Sequence, residues 1–132
     1  MKLAIVGTSK LTENEEKDAR KLISFILKDY KPKLVITGGA DGIDTHAKEV
    51  AEGLKISVKL YSPKSKNWDG YKARNIIIAS ECTHLVCITT KKIKTEGCYH
   101  HPSLEMHQRT GGCWTLARAK MNGKKTKLFV ME

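Results

Sequence analysis

Short apolar runs alternate with amphipathic stretches along this chain, and the alternation predicts its secondary structure. Each apolar run has the length of a buried strand rather than of a helix. The five predicted strands span residues 2–6, 33–37, 56–61, 83–89 and 127–131.

The stretches between the strands carry apolar residues at helical spacing. The first opens on Thr12-Glu13-Asn14-Glu15, which has the form of a capping box, and Pro32 closes it. Three further helices are predicted over residues 43–52, 70–80 and 112–121. Residues 90–110 fit neither period and are predicted to form a long irregular insert.

Strands that alternate with helices through short turns pair in parallel and carry helices on both faces of the sheet. The pattern therefore predicts an α/β, three-layer Rossmann-like fold whose five-stranded parallel sheet has the order 3-2-1-4-5. A chain of 132 residues has room for one domain with a real core. Residues 1–132 are accordingly predicted to form a single domain.

The segment TGGADGIDTHA, from Thr37 to Ala47, joins the second predicted strand to the second helix and contains three glycines. Glycine lets the backbone adopt positive φ and approach a ligand closely. The unpaired amides and the dipole of a helix start favour an anion. The segment therefore predicts a socket for an anionic group such as a phosphate.

Other turns of interest also follow predicted strands, and ligands of such sheets bind at the carboxyl ends of the strands near the switch point. We therefore expect these turns to meet around one ligand. They are Gly7-Thr8-Ser9, the segment Gly38-Gly39-Ala40-Asp41-Gly42-Ile43-Asp44, Tyr61-Ser62, and Gly111-Gly112 after the insert.

The segment GGADGIDTHAKEVA resembles the signature of the SLOG superfamily, which joins the SMF/DprA DNA-processing proteins, the LOG-type nucleotide phosphoribohydrolases and the YspA/YpsA-related proteins. Two later motifs extend the similarity. Tyr71-Lys72-Ala73-Arg74-Asn75 resembles the arginine-containing helix of the LOG-type proteins, and Gly111-Gly112-Cys113-Trp114-Thr115 resembles their second glycine motif.

The resemblance implies a pocket for a nucleotide or a nucleotide derivative, and it implies a homodimer. Arg74 would lie beside the sugar or the phosphate, and Asp44 would either cap the second helix or bond a ligand hydroxyl. Trp68 and Tyr71 either stack on a base or cover the sheet edge. The residues implied to cradle phosphate are Gly38, Gly39, Gly42, Gly111, Gly112 and Thr115.

One position departs from the LOG-type pattern, because Ala117 stands where those enzymes carry a catalytic glutamate. Cleavage of an N-glycosidic bond needs a carboxylate to stabilise the transition state or to activate water. The same hydrolysis would therefore require Asp41, Asp44 or Glu105 as a substitute. Binding without turnover, or a different reaction, is favoured.

The insert carries side chains that suit zinc, which takes four thiolate and imidazole ligands in a closed tetrahedron. Cys98, His101, His107 and Cys113 would form such a site, with His100 as the alternative to His101. A long loop without its own core would gain stability from a metal. The alternative is that these residues line the ligand pocket or decorate the loop. No redox cofactor is expected.

Twenty-four basic residues against 14 acidic ones give a formal charge of +10. Such an excess is typical of proteins with polyanionic partners, and equally of a solvated lysine-rich surface. No apolar run approaches the ~20 residues of a membrane span, and the first is too short for a signal peptide. Four cysteines without a secretion signal favour a reducing cytoplasm.

Two classes of function therefore remain open. The first is a protein that binds a nucleotide or nucleotide derivative, as a sensor or as a divergent nucleotide-processing protein. The second is a single-stranded nucleic-acid-binding module of the DprA type, which the charge would allow.

Overall fold

A computed structural model describes residues 1–91 and 111–131 of the chain. Strands and helices alternate through the described residues. In chain order they are β1 (Lys2–Gly7), α1 (Glu13–Tyr30), β2 (Leu34–Thr37), α2 (Ile43–Gly53), β3 (Ser57–Leu60), α3 (Trp68–Glu81), β4 (His84–Thr90), α4 (Gly111–Met121) and β5 (Lys125–Met131).

The five described strands form one sheet of order β3-β2-β1-β4-β5, and every neighbouring pair is parallel. The predicted α/β fold class and strand order are confirmed. The chain leaves β1 on one side toward β2 and later returns on the other side as β4. The switch point therefore lies between β1 and β4, where sheets of this class open a crevice.

The core lies on both faces of the sheet, and β1 shows how the sequence divides it. Leu3 and Ile5 pack toward α1 and α2, whereas Ala4 and Val6 pack toward α3 and α4. Successive side chains of a strand point to opposite faces, so an unbroken apolar run is what a strand covered on both sides requires.

The ends of the elements follow local hydrogen bonds. Thr12 Oγ1 accepts the Glu15 amide at 3.2 Å and Glu15 Oε1 accepts the Thr12 amide at 2.9 Å, so the predicted capping box is confirmed. Helix α3 begins two residues before the predicted start, because Asn67 Oδ1 accepts the Gly70 amide at 3.0 Å and caps the helix.

Strands β3 and β5 differ in length from the prediction by two residues each. Strand β3 is shorter than residues 56–61, because it pairs only with the four residues of β2 before the glycine turn begins. Strand β5 begins at Lys125 rather than at residue 127, since β4 offers partners from His84 onward.

Candidate functional site

A cleft of about 930 Å³ opens at the carboxyl ends of the central strands, beside the turns after β1 and β2 and the start of α4. Of the 13 residues predicted to bind a nucleotide, all but Gly38 and Gly42 line it. The structure thus brings together segments that are far apart in sequence. Those on the wall are Gly7, Thr8, Ser9, Gly39, Ala40, Asp41, Asp44, Arg74, Gly111, Gly112 and Thr115.

Gly38 and Gly42 lie behind the wall and hold the turn in place. Gly42 has φ 75° and ψ −126°, a region open to glycine alone, and an added Cβ would lie 2.4 Å from the Thr8 carbonyl oxygen. A Cβ on Gly38 would lie 2.8 Å from Arg74 Nη1 and 2.9 Å from Asp44 Oδ2. Gly42 therefore allows the turn to pack against the residues that follow β1. Gly38 leaves space for the side chains of Arg74 and Asp44.

The start of α4 is pressed against β1. A Cβ on Gly112 would lie 2.9 Å from the Gly7 Cα, so the close approach of the helix requires glycine there. Gly111, one residue earlier, lines the cleft, and no described atom lies within 4 Å of a Cβ added there. Thr115 Oγ1 donates to the Gly111 carbonyl at 3.0 Å, which keeps the first helical turn closed.

The Arg74 side chain is held in a fixed position beside the glycine turn. Its Nη1 donates to the Gly38 carbonyl and its Nε donates to Asn75 Oδ1 at 2.9 Å. The guanidinium carbon lies 5.6 Å from the centre of the Tyr71 ring, within cation–π range. Arg74 thereby holds a positive charge at a fixed position on the wall of the cleft.

Asp44 lies in the first turn of α2 with 6% of its surface exposed. It does not cap the helix: Gly42 occupies the N-cap position, and Asp44 Oδ2 instead accepts the Ala40 amide at 3.2 Å. Burial raises the pKa of the Asp44 carboxyl to about 6, and the Ala40 amide and the Arg74 charge offset this only in part. The helix-cap alternative for Asp44 is therefore wrong, and its ligand-binding alternative stays a prediction.

Aromatic side chains line another part of the cleft. Trp68 is 49% exposed, and its ring meets that of Trp114 edge to face with centroids 5.6 Å apart. Tyr71 lies on the same wall, one helical turn from Trp68. A flat, half-exposed ring braced by a second ring can stack on a planar group.

Sequence reasoning missed three polar residues of the wall. Lys10 directly follows the predicted turn Gly7-Thr8-Ser9, and Lys66 lies in the loop before α3, so both were close to recognised segments. Asn75, the last residue of the arginine motif, is buried beneath Arg74 and accepts its Nε proton. Only the three-dimensional arrangement shows that the two lysines share the cleft.

Cys113 is the one predicted metal ligand among the residues that the structure describes. Cys113 is fully buried in the core between α4 and the sheet, beside Ala4 and Cys87. Cys98, His100, His101 and His107 lie outside the described residues, as does Glu105. Within residues 1–91 and 111–131, no three histidine, cysteine or acidic side chains gather as a metal site. The zinc site stays a prediction.

No known protein-family model matches the chain, and no curated protein matches it. The X-ray structure of DNA processing protein A (DprA) from Streptococcus pneumoniae does, with a TM-score of 0.68 and 19% sequence identity. The match covers 96% of this chain and 49% of that one, so the chain spans about half the length of DprA.

The chain has the Rossmann-like fold of DprA. The fold implied by the resemblance to the SLOG superfamily is thereby confirmed. Of the described helices, none is long and apolar enough to cross a membrane.

Proposed function

We propose that the cleft binds a phosphorylated nucleoside, with the phosphate between the turn after β1 and the start of α4 and the base against Trp68. The observation that carries this proposal is the convergence of three glycine-containing turns on one cleft of about 930 Å³. Pockets of that size suit a nucleotide-sized ligand.

The charges of the cleft support this orientation of the ligand. Lys10 and Lys66 lie on its wall, and the start of α4 adds the positive dipole end of a helix, which favours an anion. Asp41 in the turn after β2 and Asp44 in the first turn of α2 would repel a phosphate placed directly against them. The proposal therefore places the phosphate away from the two acids.

Ligand binding is the core of the proposal, as a sensor or as a divergent nucleotide-processing protein. Ala117 lies in α4, half-buried, at the position where a LOG-type enzyme has its glutamate. Asp41 and Asp44 are carboxylates on the cleft wall and could replace that glutamate in hydrolysis, so turnover is tested together with binding. Chromatography of AMP, GMP, CMP and UMP after incubation with the protein would reveal a released base or phosphate.

Fluorescence tests the placement of the base directly, because the chain has two tryptophans. The Trp114→Phe protein reports fluorescence from Trp68 alone. The Trp68→Phe protein reports fluorescence from Trp114 alone. We expect AMP, GMP, CMP or UMP to quench Trp68 strongly and Trp114 weakly, since a stacked base contacts Trp68. Equal quenching of both, or none with binding seen by calorimetry, would contradict the stacking.

A second candidate function is favoured by the fold neighbour and by the charge. The structural neighbour is DNA processing protein A, and this chain carries a formal charge of +10. A single strand would then lie across the cleft with its bases near Trp68 and its phosphates near Lys10 and Lys66.

Salt dependence separates the two candidates. The affinity of a protein for single-stranded DNA falls steeply with salt, with a log–log slope of roughly −0.7 per phosphate neutralised. A pocket for one nucleotide has a much shallower slope. Steep, tight binding of an oligothymidylate without binding of any mononucleotide would favour the second candidate. Native mass spectrometry of the purified chain would show a retained ligand and test the predicted dimer.

A further inference from the structure

A groove of about 620 Å³ lies between α1 and α2, the two helices that cover one face of the sheet. Its lining comes from the later turns of both helices and shares no residue with the cleft. Helix α2 starts at the turn that lines the cleft, so its later turns lie toward the other end of the sheet. The groove is therefore a separate surface that the proposed function leaves unused.

Apolar side chains are exposed in this groove although the core does not require them. Phe25 of α1 is 66% exposed, and Leu54, the C-cap of α2, is 38% exposed. Helix α1 packs on the sheet through other positions of its helical repeat, which are Ala19, Ile23, Ile26 and Leu27. Single exposed apolar residues are common, whereas a group of them around one concavity indicates a contact surface.

Two lysines flank the apolar lining and carry unmatched charge. Lys21 and Lys28 line the groove from α1, and neither forms an ion pair with another described residue. An acidic residue four positions away would pair with a helix lysine. Those positions hold Lys17 and Phe25 for Lys21 and, within the helix, Ser24 for Lys28. The sequence of α1 therefore leaves both lysines available to a partner.

Glu49 is the one acidic residue that the described part of the chain contributes to this lining, and its charge is already matched. Arg20 Nη1 donates to Glu49 Oε1 at 3.1 Å and lies 3.0 Å from His46 Nδ1. These contacts join α1 to α2 and neutralise the acid. The lining consequently has an excess of positive charge beside its exposed apolar side chains.

The shape and charge of the groove favour one class of occupant. Protein partners insert bulky apolar anchors into concave apolar sites and place complementary charges at the rim. A planar lipid surface does not follow a concavity between two helices. A nucleic-acid strand stacks successive bases on aromatic rings, and here Phe25 is joined by the aliphatic Val50 and Leu54 instead.

We propose that the groove between α1 and α2 binds an acidic amphipathic peptide segment of a partner protein. A bulky apolar side chain of the segment packs against Phe25 and Leu54, and its carboxylates lie near Lys21 and Lys28. Binding of this kind places the apolar side of a segment in a groove and its charges outside. The proposal is independent of the proposed function, since the cleft and the groove share no residue.

The experiment is selection of a phage-displayed library of random peptides on the immobilised full chain. The enriched peptides are then synthesised and used as probes in affinity measurements. We expect the enriched sequences to combine several acidic residues with at least one bulky apolar residue. Their affinity should fall as salt rises, because part of the attraction is between exposed charges.

Phe25→Gln tests the apolar anchor and keeps a residue that favours helix. The affinity of the peptides should fall at least about tenfold, as for a central aromatic residue of an interface. Met121→Gln is the matched control, because Met121 is 80% exposed at the end of α4, which packs on the other face of the sheet. AMP should bind Phe25→Gln and the parent chain equally well.

Charge reversal tests the rim of the groove. The double variant Lys21→Glu, Lys28→Glu should weaken peptide binding roughly three- to tenfold and flatten its dependence on salt. The double variant Lys72→Glu, Lys120→Glu changes the net charge equally at exposed positions of α3 and α4 and should leave both properties nearly unchanged. Urea unfolding of each variant checks that its fold is retained.

Three results would overturn the proposal. The first is that no peptide is enriched on the parent chain relative to Phe25→Gln, and the second is that the enriched peptides are neutral or basic. The third is that Phe25→Gln binds the peptides as the parent chain does but loses a different occupant. The occupants compared are phosphatidylserine vesicles, an oligothymidylate and a second copy of the chain detected by analytical ultracentrifugation.

Discussion

The turn after β2 and the start of α4 both carry a pair of adjacent glycines, and in each pair one glycine packs against the protein while the other is exposed on the cleft wall. In the first, Gly38 is enclosed by Arg74 and Asp44 while Gly39 lines the cleft, and in the second, Gly112 closes on β1 while Gly111 lines the cleft. The regions differ because the first also holds Gly42, which lies against the Thr8 carbonyl at positive φ. Adjacent glycines in a sequence therefore indicate a close approach of the backbone to another group. The structure shows which glycine packs against the protein and which one lines the cleft.

The largest difference between the two regions should appear in stability. Gly42→Ala puts a Cβ 2.4 Å from a backbone oxygen in a conformation that only glycine adopts, and we expect a loss on the order of 3 kcal/mol in the free energy of unfolding. Gly111→Ala meets no described atom and should change it by less than about 1 kcal/mol. Urea denaturation of both variants measures the comparison, and equal losses would refute it.

The next effect concerns the acid that the first turn buries. The pKa of Asp44 is raised to about 6 from 3.8, so the folded state holds a proton that the unfolded state has lost between these values. The contribution of Asp44 to stability is therefore fully present below about pH 3.8 and is lost as the pH rises through about 6. Its size is on the order of 2 to 3 kcal/mol.

Asp44→Asn should remove this contribution to the pH dependence. We expect the variant to be more stable than the parent chain near pH 7.5 and the advantage to shrink toward pH 4. Urea denaturation across this range measures the difference in free energy of unfolding between the two proteins. The other acidic residues are the same in both, so their contributions cancel in this difference. If the difference in free energy of unfolding between the two proteins stays constant with pH, burial does not raise the pKa of Asp44.

A smaller effect, on binding alone, is expected in the second region. Gly111→Val would place a branched side chain on the cleft wall where we propose that the phosphate lies, and AMP affinity should fall at least about tenfold. Gly53→Val is the matched control, because Gly53 ends α2 away from this cleft and also has no described atom within 4 Å. If the two variants bind AMP with similar affinity, the phosphate does not bind at the start of α4.

Much of the fold could be predicted because it depends on short apolar runs and local caps. The strand order, the capping box at Thr12 and the meeting of the glycine turns all follow from alternation and parallel topology. The start of α3 lies two residues before the predicted one, because the Asn67 side chain caps the helix and a single cap residue does not change the hydrophobic pattern.

The roles within the site could not be predicted to the same depth. Gly38 and Gly39 are identical as letters, yet one is buried behind Arg74 and the other lines the cleft with φ 76°. The position of the Arg74 charge depends on its bonds to the Gly38 carbonyl and to Asn75, which is a matter of packing between α3 and the turn after β2. Such long-range contacts leave no periodic signal in a sequence.

The zinc prediction rests on sequence alone and has its own test. If Cys98, His107 and Cys113 bind zinc together with His101 or His100, elemental analysis of chain purified without chelator should give about one zinc per chain. Cys98→Ser should lower that occupancy, and the thermal unfolding of the sheet should be little changed. Chain free of metal would refute the prediction, as would full zinc content in Cys98→Ser.

The most direct measurement of the central claim is the titration of AMP into the Trp114→Phe chain, followed by heat and by Trp68 fluorescence together. A phosphorylated nucleoside in the cleft predicts saturation at one AMP per chain, with Trp68 quenched along the same binding curve. It also predicts only a weak response to salt, because one phosphate is neutralised. The claim would be contradicted by the absence of heat and quenching with all four mononucleotides, while an oligothymidylate binds with a steep dependence on salt.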